Sequence, residues 1–393
     1  MSLVLVLNAG SSSVKFALID TSLVGDEKDV ARGVFEGIGQ VPRWSAKRSD
    51  GESSVSETLA DSQYSTHQEA VSRILAWIDH QFGLSNLKAA GHRVVHGGRD
   101  FVTSVRIDRP TIAELRKLVP LAPLHQPHNL AAIESLAILA PEMPQVACFD
   151  TAFHATMPDV ARTFAIPRAL TAKGVKRYGF HGISYAYIAH ELKRTEPELA
   201  KGRVVVAHLG NGSSLCAMLN GRSVATTMGF SALDGLMMGT RVGLLDPAVI
   251  FYLMRDEGMS AAEVETMLYQ KSGLLGVSGI SSDMRILRQA ASSHAEAREA
   301  LDMLSYRIIR EIGSMIAALG GIDGLVFTAG IGENDVELRA DVVNGLGFAG
   351  FSLDATANLD KTRRISGSTG PGVFVFPTNE EVMIARETAA IVQ

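Results

Sequence analysis

The feature that most constrains the fold is a pattern of two apolar runs around a Gly/Ser turn, which occurs twice in the chain. The first copy has apolar runs at residues 3–7 and 14–19 around the turn 8–13, and this spacing predicts a β-hairpin. The pattern returns at residues 204–219, about half the chain length later. The recurrence indicates a duplicated domain whose two hairpin loops face each other across a cleft. Because the copies share little identity, a chance likeness between two Gly/Ser hairpins is the alternative.

Hydrophobic periodicity elsewhere switches between helical and strand patterns. The predicted helices span residues 67–82, 129–140, 295–319 and 380–392. The predicted buried strands span residues 91–95, 146–149, 325–327 and 373–376. Thr378 is the predicted N-cap of the last helix, whose apolar positions predict that it packs back on the N-terminal domain. The mixture predicts an α/β protein.

Composition excludes several classes of protein. Of the 393 residues, 46% are hydrophobic and 20% are charged, which is typical of a compact globular chain and not of a disordered one. The chain has a net charge of −5 and contains no long run of basic residues, so nucleic acid is not an expected partner. The sequence predicts no membrane helix and no signal peptide. Cys148 and Cys216 lie in apolar runs and are expected to be buried thiols in a reducing cytoplasm.

Three glycine-rich turns lie next to predicted strands, where they could hold an anion. The turn 8–13, with Lys15 on the outgoing strand, is explained equally well as a plain hairpin turn. The other two turns consist of His208, Leu209, Gly210, Asn211 and Gly212, and of Gly330, Ile331, Gly332, Glu333 and Asn334. Asp283, Met284 and Arg285 could add contacts to a ribose or base, although a helix-start acid beside a surface arginine explains them as well. Glycine lets backbone approach a ligand closely, so three such turns predict a site for nucleotide phosphates.

Two arginines occur where a charge is expensive to bury. Arg93 lies inside a predicted strand, and Arg241 lies among apolar residues and glycines, with Asp246 as the first acid in its local sequence. A buried guanidinium needs an anion as its partner. Structural ion pairs would satisfy either arginine. Beside three phosphate-type turns, however, two unpaired arginines predict a clamp on a transferring phosphoryl group.

Three further ionisable residues are candidates for chemistry. Asp150 follows a predicted buried strand, the usual position of a catalytic or metal-orienting carboxylate in α/β folds. His181 is flanked by glycines and aromatic residues, although a lone histidine is more often a core residue than a catalyst. Glu380 lies in the first turn of the last helix, where the helix dipole alone explains an acid. From the residues alone, both interpretations of each side chain stay open.

Taken together, these segments resemble the acetate kinase family, within the superfamily of acetate and sugar kinases, heat-shock 70 proteins and actin. They occur in the family's order over essentially the whole chain. The matching motifs span residues 8–15, 91–98, 149–154, 177–182, 208–213, 235–241, 327–334 and 378–381.

The resemblance implies a fold of two duplicated ribonuclease H-like (actin-like ATPase) domains flanking a cleft. The first would comprise residues 1–152 with the returning helix 381–393, and the second residues 153–380. The implied reaction is reversible phosphoryl transfer from ATP to acetate, which gives ADP and acetyl phosphate, with Mg²⁺ and with Mn²⁺ as an alternative ion. A cytoplasmic homodimer without a nucleic-acid or membrane partner is also implied.

The resemblance also assigns roles to the candidate residues. Asp150 is the family's acidic active-site residue, and Arg93 would bind the carboxylate. Lys15, the two later turns and residues 283–285 would bind the nucleotide. Asn8 and Glu380 would be the metal ligands. His181 and Arg241 would stabilise the transferring phosphoryl group. The acyl pocket would be formed by Val95, Leu124, Phe180 and Ala232.

This chain departs from the family pattern near several of these residues. Ala232 replaces a proline of the acyl pocket, Ile183 a threonine and Tyr185 a histidine just after His181. The loss of two ring carbons at Ala232 opens space for about one methylene, worth roughly 0.8 kcal/mol. A propionate kinase, or one with a broader range of short-chain carboxylates, is therefore the alternative within the family.

The chemistry of the acceptor constrains the mechanism further. A carboxylate with a pKa like that of Asp or Glu is ionised at neutral pH and needs no general base. Asp150 is therefore expected to orient a metal-bound water or an arginine in a direct in-line transfer. An ATP-switched module of the heat-shock 70 kind is disfavoured because no substrate-binding appendage is evident. A sugar kinase is disfavoured because its hydroxyl nucleophile needs a general base.

Overall fold

The computed structural model describes residues 2–23, 25–59 and 64–393. The chain divides into two compact units. The N-terminal unit is Met1–Phe153 together with Asn379–Gln393, and the second unit is His154–Thr378. The sequence-based boundaries at residues 152 and 380 lie next to these divisions, and the duplication of one unit from the other stays a prediction.

Thirteen strands and sixteen α-helices lie in the described ranges. The strands are β1 (Leu3–Ala9), β2 (Ser13–Asp20), β3 (Lys28–Glu36), β4 (Arg43–Arg48), β5 (Ser54–Thr58), β6 (Leu87–Val94), β7 (Val105–Arg106), β8 (Gln145–Phe149), β9 (Arg203–Leu209), β10 (Ser213–Leu219), β11 (Arg222–Thr226), β12 (Gly324–Thr328) and β13 (Gly372–Val375). The helices are α1 (His67–Phe82), α2 (Arg109–Lys117), α3 (Gln126–Leu139), α4 (Asp159–Arg162), α5 (Arg168–Ala172), α6 (Gly182–Thr195), α7 (Pro197–Ala200), α8 (Pro247–Arg255), α9 (Ala261–Gln270), α10 (Gly273–Ser278), α11 (Met284–Ala290), α12 (Ala295–Leu319), α13 (Ala329–Asn334), α14 (Val336–Gly345), α15 (Ala355–Leu359) and α16 (Glu380–Val392).

The N-terminal unit contains an eight-stranded sheet in the order β5-β4-β3-β2-β1-β6-β8-β7. Its first two strands form the predicted antiparallel hairpin, and β1, β6 and β8 run parallel to one another. Strand β1 is buried along almost its whole length, which explains its continuous apolar run. Because parallel strands end at the same edge of a sheet, this order brings Asn8, Arg93 and Asp150 together.

Helix α1 covers this sheet and confirms the helix predicted at residues 67–82. Thr66 caps its start, and Glu69 completes a capping box. The buried face includes Val71, Ile74 and Ile78, which belong to the same apolar core as the central strands. The period of the apolar residues therefore places α1 on the sheet.

The last helix, α16, packs on β6, β1 and β8, as predicted. Its N-cap is Asn379, whose side-chain oxygen accepts a hydrogen bond from the Val382 amide at 3.1 Å. The prediction of Thr378 as the N-cap is therefore wrong. The Thr378 amide instead donates to the Glu333 carboxylate at 3.1 Å, and its hydroxyl lies 2.8 Å from that of Ser184.

The second unit contains a five-stranded sheet in the order β11-β10-β9-β12-β13. Strands β9 and β10 form the second predicted hairpin, and β9, β12 and β13 are parallel. Helix α12 packs on the sheet through buried side chains that include Leu304, Ile308 and Ile312. The predicted α/β class is confirmed, with one mixed sheet in each unit.

Two expectations about the chain's environment can be compared with the structure. Cys148 and Cys216 are buried free thiols, as predicted, and burial raises the pKa of Cys216 to about 12. Among the helices of the described ranges, none is long and apolar enough to cross a membrane.

Gly91 of β6 lies where α16 packs tightly against the sheet. A Cβ at this position would overlap the Thr388 hydroxyl and lie 2.6 Å from Cγ2 of Ile384. We expect Gly91→Ala to lower the free energy of unfolding by about 1–3 kcal/mol, because both helix side chains must shift. Chemical denaturation followed by circular dichroism measures this change.

Gly347 provides the matched control for that substitution. A Cβ at Gly347 meets open space, so Gly347→Ala should stay within about 0.5 kcal/mol of the unmodified protein. Equal stability of the two variants would show that α16 does not pack tightly at Gly91.

Candidate active site

The first cluster of candidate residues lies at the carboxyl ends of β6 and β8. Nη2 of Arg93 donates to Oδ2 of Asp150 at 2.7 Å, and Nε donates to the same oxygen at 3.1 Å. Asp150 is only 1% exposed, so water barely screens this ion pair on the carboxylate side. The prediction that Arg93 is unpaired is therefore wrong. Its partner lies 57 residues further along the chain, and the parallel pairing of β6 with β8 brings the two together.

A second carboxylate, that of Glu380, lies beside this pair. Its Oε2 is 3.9 Å from Nε of Arg93, and Oδ1 of Asn8 accepts a hydrogen bond from Nη1 of Arg93 at 3.5 Å. Burial raises the pKa of Glu380 to about 7, with Arg93 opposing the shift and Asp150 and Glu381 adding to it. Burial lowers the pKa of Arg93, but the carboxylates of Asp150 and Glu380 more than reverse this effect and raise it. Two carboxylates thus share one guanidinium.

The oxygen donors of this cluster fit Mg²⁺. In proteins Mg²⁺ is usually held by one or two carboxylates together with substrate phosphates, and it keeps several waters. Asn8 offers an amide oxygen, and Glu380 offers a carboxylate whose raised pKa a divalent cation would lower. No group of three or more His, Cys, Asp or Glu side chains suited to a metal ion occurs in the part of the chain that is described. An ion here would therefore complete its shell with water and phosphate oxygens.

Lys15 lies opposite Asn8 in the first hairpin. Its side chain is exposed, and its charge partly offsets the burial that raises the pKa of Glu380. The structure thus shows an electrostatic effect of Lys15 on Glu380. The contact of Lys15 with a nucleotide stays a prediction.

Asn129, which the sequence analysis missed, connects two loops of the first cluster. Its Nδ2 donates to the carbonyl oxygen of Ala9 at 2.9 Å, and its Oδ1 accepts from the Val95 amide at 3.0 Å. One buried side chain thus fixes the backbone after Asn8 and after Arg93. A lone asparagine at the start of an apolar helical pattern was the only signal in the sequence.

His181, in the second unit, lies at the start of α6. Its backbone is left-handed, with φ of 57°, which a non-glycine residue adopts only when its surroundings hold it there. Its Nδ1 is 2.9 Å from Oγ of Ser214, and its ring stacks on that of His208 with centroids 4.1 Å apart. His208 is itself held by Ser184, whose Oγ is 2.9 Å from Nδ1. His208 therefore supports the ring of His181.

The turn of the second hairpin lies next to both His181 and Arg241. A Cβ at Gly212 would be 3.3 Å from Nε2 of His181 and 3.6 Å from Nη1 of Arg241. The same turn is tied to the chain before Arg241, because the Gly239 amide donates to the Asn211 carbonyl oxygen at 3.2 Å. An imidazole and a guanidinium at one backbone turn can stabilise an anion.

The four predicted acyl-pocket residues are divided between the units. In the N-terminal unit, Val95 is buried and Leu124 is 41% exposed. In the second unit, Phe180 is buried, and the carbonyl oxygen of half-buried Ala232 accepts from Nη1 of Arg241 at 3.0 Å. Assembly of the four into one pocket stays a prediction.

A cavity of about 960 Å³ lies in the second unit beside α11, α13 and the hairpin turn. This volume is at the upper end of the range usual for small-molecule sites. The predicted nucleotide residues that line it are Asn211, Asp283, Met284, Arg285, Gly330, Ile331 and Asn334. The other members of the same turns, which lie outside the lining, are His208, Leu209, Gly210, Gly212, Gly332 and Glu333.

Several lining residues were missed by the sequence analysis. They are Ser282, Arg288, Gln289, Asp335, Val336 and Glu337. Arg288 is held by Asp335 at 3.2 Å and Glu337 at 3.1 Å, and it follows Met284 by one helical turn, a spacing that could have revealed it. Fully buried Arg339 supports the turn below, since its Nη1 donates to the Gly332 carbonyl oxygen at 2.9 Å.

Oxygen ligands suited to Mg²⁺, donors suited to a phosphoryl group and a cavity of small-molecule size agree with a kinase. Comparison with known protein families identifies the kinase family to which the chain belongs. The profile of the Acetokinase family matches residues 3–386, and the chain belongs to this family.

Named relatives agree with this assignment. The acetate kinase of Rhodopseudomonas palustris is 51% identical over 388 residues, covering 97% of this chain and 96% of its own length. The acetate kinase of Clostridium botulinum is 42% identical and covers 99% of both chains. Among solved structures, a propionate kinase from Francisella tularensis superposes with a TM-score of 0.93 and the acetate kinase of Porphyromonas gingivalis with 0.91. Each is 38% identical and covers the whole of both chains.

His154 holds the backbone directly before His181, and this contact predicts a pH dependence. Its ring nitrogens lie 2.9 Å from the Phe180 carbonyl oxygen and 2.9 Å from Oγ of Ser223. Burial lowers the pKa of His154 from 6.5 to about 4. The unfolded chain therefore binds this proton more readily than the folded chain, so the stability contributed by neutral His154 is complete above pH 6.5 and is lost as the pH falls toward 4.

We expect the difference in unfolding free energy between the unmodified protein and His154→Gln to shrink by up to about 3 kcal/mol from pH 7 to pH 4. Urea titrations at several pH values measure this difference. Exposed His80 provides the control, because His80→Gln should leave the pH dependence unchanged. A constant difference for His154→Gln over the range would contradict the buried neutral imidazole.

Proposed function

We propose that this protein is an acetate kinase, which reversibly transfers the γ-phosphoryl group of ATP to acetate and forms ADP and acetyl phosphate. Membership of the Acetokinase family and the names of the relatives support the proposal. The observation that carries it is the guanidinium of Arg93, held by buried Asp150 at the edge of a sheet. An arginine fixed in this way is a receptor for a small carboxylate.

Acetate is ionised at neutral pH, so no group has to remove a proton before it reacts. Arg93 binds and orients the carboxylate, and Asp150 orients Arg93. One acetate oxygen forms the new bond to the γ-phosphorus while the bond from that phosphorus to the β,γ-bridging oxygen breaks. The electron pair of the broken bond leaves with ADP.

The transferring group spreads negative charge over its equatorial oxygens. His181 and Arg241 lie at one backbone turn, where their N–H groups can donate to these oxygens. The cavity in the second unit suits the nucleotide, and Asn211 and Gly330 line it at the phosphate-type turns. Asn8 and Glu380 would hold Mg²⁺, which would supply positive charge to neutralise the phosphates.

Propionate is the second candidate acceptor. Ala232 stands where the family pattern has a proline, which favours a larger acyl pocket. The propionate kinase of Francisella tularensis has the same overall fold with a TM-score of 0.93. Both observations support a kinase that accepts propionate as well as acetate.

We also propose that the protein is a cytoplasmic homodimer. Every residue of α8 is at least partly exposed, and Phe251, Tyr252 and Met254 on this helix are 58%, 51% and 40% exposed. An apolar helix of this kind is typical of a surface buried by another chain. Two buried free thiols agree with a reducing compartment. A monomeric mass in solution at micromolar concentration would count against the dimer.

Trapping with hydroxylamine tests the proposed reaction, because it converts acyl phosphates into hydroxamates. With ATP and Mg²⁺, we expect hydroxamate from acetate, less from propionate and least from butyrate, each compared by kcat/KM. ATP hydrolysis without any hydroxamate would contradict the proposal and favour an ATP-switched module.

The roles of Arg93, which binds the carboxylate, and of Arg241, which stabilises the phosphoryl group, are tested by removing the two arginines one at a time. We expect Arg241→Ala and Arg93→Ala to lower kcat/KM by about 10³-fold or more, as for other arginines that stabilise a phosphoryl transition state. Arg93→Ala should also raise the KM for acetate. Arg310, an exposed arginine paired with Glu311, is the control, and Arg310→Ala should keep full activity. If either active-site variant folds and stays within tenfold of the unmodified enzyme, the role assigned to that arginine is wrong.

Acyl specificity is tested by restoring the proline. One methylene in an apolar pocket changes specificity by about 10- to 200-fold, so we expect Ala232→Pro to lower kcat/KM for propionate relative to acetate. Because the Ala232 carbonyl oxygen also accepts from Arg241, activity on acetate serves as the internal reference. An unchanged ratio in a folded variant would show that Ala232 does not set the pocket.

A further inference from the structure

A buried chain of hydroxyl groups leads to Nδ1 of His181. The Tyr185 hydroxyl lies 2.6 Å from Oγ of Ser214, and this oxygen lies 2.9 Å from Nδ1 of His181. Tyr185 and Ser214 are fully buried. Buried polar groups need partners inside the protein, so this path is a fixed part of the structure.

The proton positions along the path follow from Tyr185. Burial raises the pKa of Tyr185 well above its usual value, so the phenol keeps its proton. The phenol can donate this proton to Oγ of Ser214, 2.6 Å away. Ser214, accepting there, can direct its own proton at Nδ1 of His181, 2.9 Å away. A neutral imidazole that accepts at Nδ1 carries its proton on Nε2.

We propose that Tyr185 is a positioning residue, which acts through Ser214 to hold His181 in the tautomer that carries its proton on Nε2. The inference rests on the proposed function, since it deepens the account of the phosphoryl site. Nε2 lies beside Gly212, on the turn that Arg241 also approaches, and an N–H there can donate to a phosphoryl oxygen. The other tautomer presents a lone pair to that oxygen and repels it. Tyr185 is also a position at which this chain departs from the family pattern.

The ring of Tyr185 has a packing role that the test must separate from its hydroxyl. The ring meets those of His154 and His208 edge-on, with centroids 5.5 and 6.3 Å apart. Tyr185→Phe keeps both ring contacts and removes only the oxygen. Tyr178 is the matched control, because it is a buried tyrosine whose hydroxyl donates to the Gly174 carbonyl oxygen at 2.9 Å.

Steady-state kinetics with ATP and acetate provide the first measurement. We expect Tyr185→Phe to lower kcat by about 3- to 10-fold, the effect of one lost hydrogen bond, with both KM values within about twofold. Ser214→Ala should have a similar effect, and the double variant should lose no more, because both changes cut the same path. Tyr178→Phe should keep the kcat of the unmodified enzyme. An unchanged kcat in Tyr185→Phe, or a change in KM alone, would overturn the proposal.

Nitrogen-15 NMR of histidine-labelled protein provides the second measurement, and it needs no substrate. The signals of the His181 ring are assigned by their absence in His181→Asn. We expect the Nε2–H tautomer in the unmodified protein and a mixture of tautomers in Tyr185→Phe and Ser214→Ala. An Nδ1–H tautomer in the unmodified protein would overturn the proposal.

The two measurements separate this inference from the proposed function. If the unmodified protein forms no acetyl phosphate, the proposed function fails, while the NMR result still decides whether Tyr185 fixes the tautomer. If Tyr185→Phe does not fold, Ser214→Ala decides by the same two readouts.

Discussion

The pairing of Arg93 with Asp150 is the interaction on which the rest of the candidate site depends. Burying either charge alone is costly, so each requires the other. The parallel order of β1, β6 and β8 places their ends at one edge of the sheet, and α16 begins beside them. Three strand ends and one helix start thus supply Asn8, Arg93, Asp150 and Glu380. The topology of the sheet therefore determines the charge pattern of the site.

The second unit offers hydrogen-bonding side chains and a cavity. Its hairpin turn lies beside the side chains of His181 and Arg241, and its cavity of about 960 Å³ has a size usual for small-molecule sites. Phosphoryl transfer depends mainly on positioning two anions and stabilising charge, with little covalent work for the protein. In the proposed reaction, the oxygen ligands, the carboxylate receptor and the phosphoryl donors would meet these needs without a general base.

Local features of the sequence were sufficient to predict much of the fold. Both hairpins, and three of the four predicted helices to the residue, follow from apolar periods and caps that lie within each segment. The N-cap of the last helix could not be predicted in this way. Thr378 is held by contacts with Glu333 and Ser184, which are distant in sequence, and Asn379 is the cap instead. The partner of Arg93 is far away in sequence and needs the strand order to be known. Asn129 is a single polar residue in an apolar helical pattern, and the only mark of Arg288 is its spacing of one helical turn from Met284.

In the proposed mechanism, Asp150 acts by holding Arg93 and not by taking a proton from the acceptor. Kinetics of Asp150→Asn with acetate between about pH 8 and pH 10 distinguish the two roles, because acetate and Glu380, whose pKa is about 7, are both ionised in this range. We expect a raised KM for acetate and a loss in kcat/KM that is the same across the range. An unchanged KM, with a relative rate that recovers as hydroxide replaces a missing base, would contradict it.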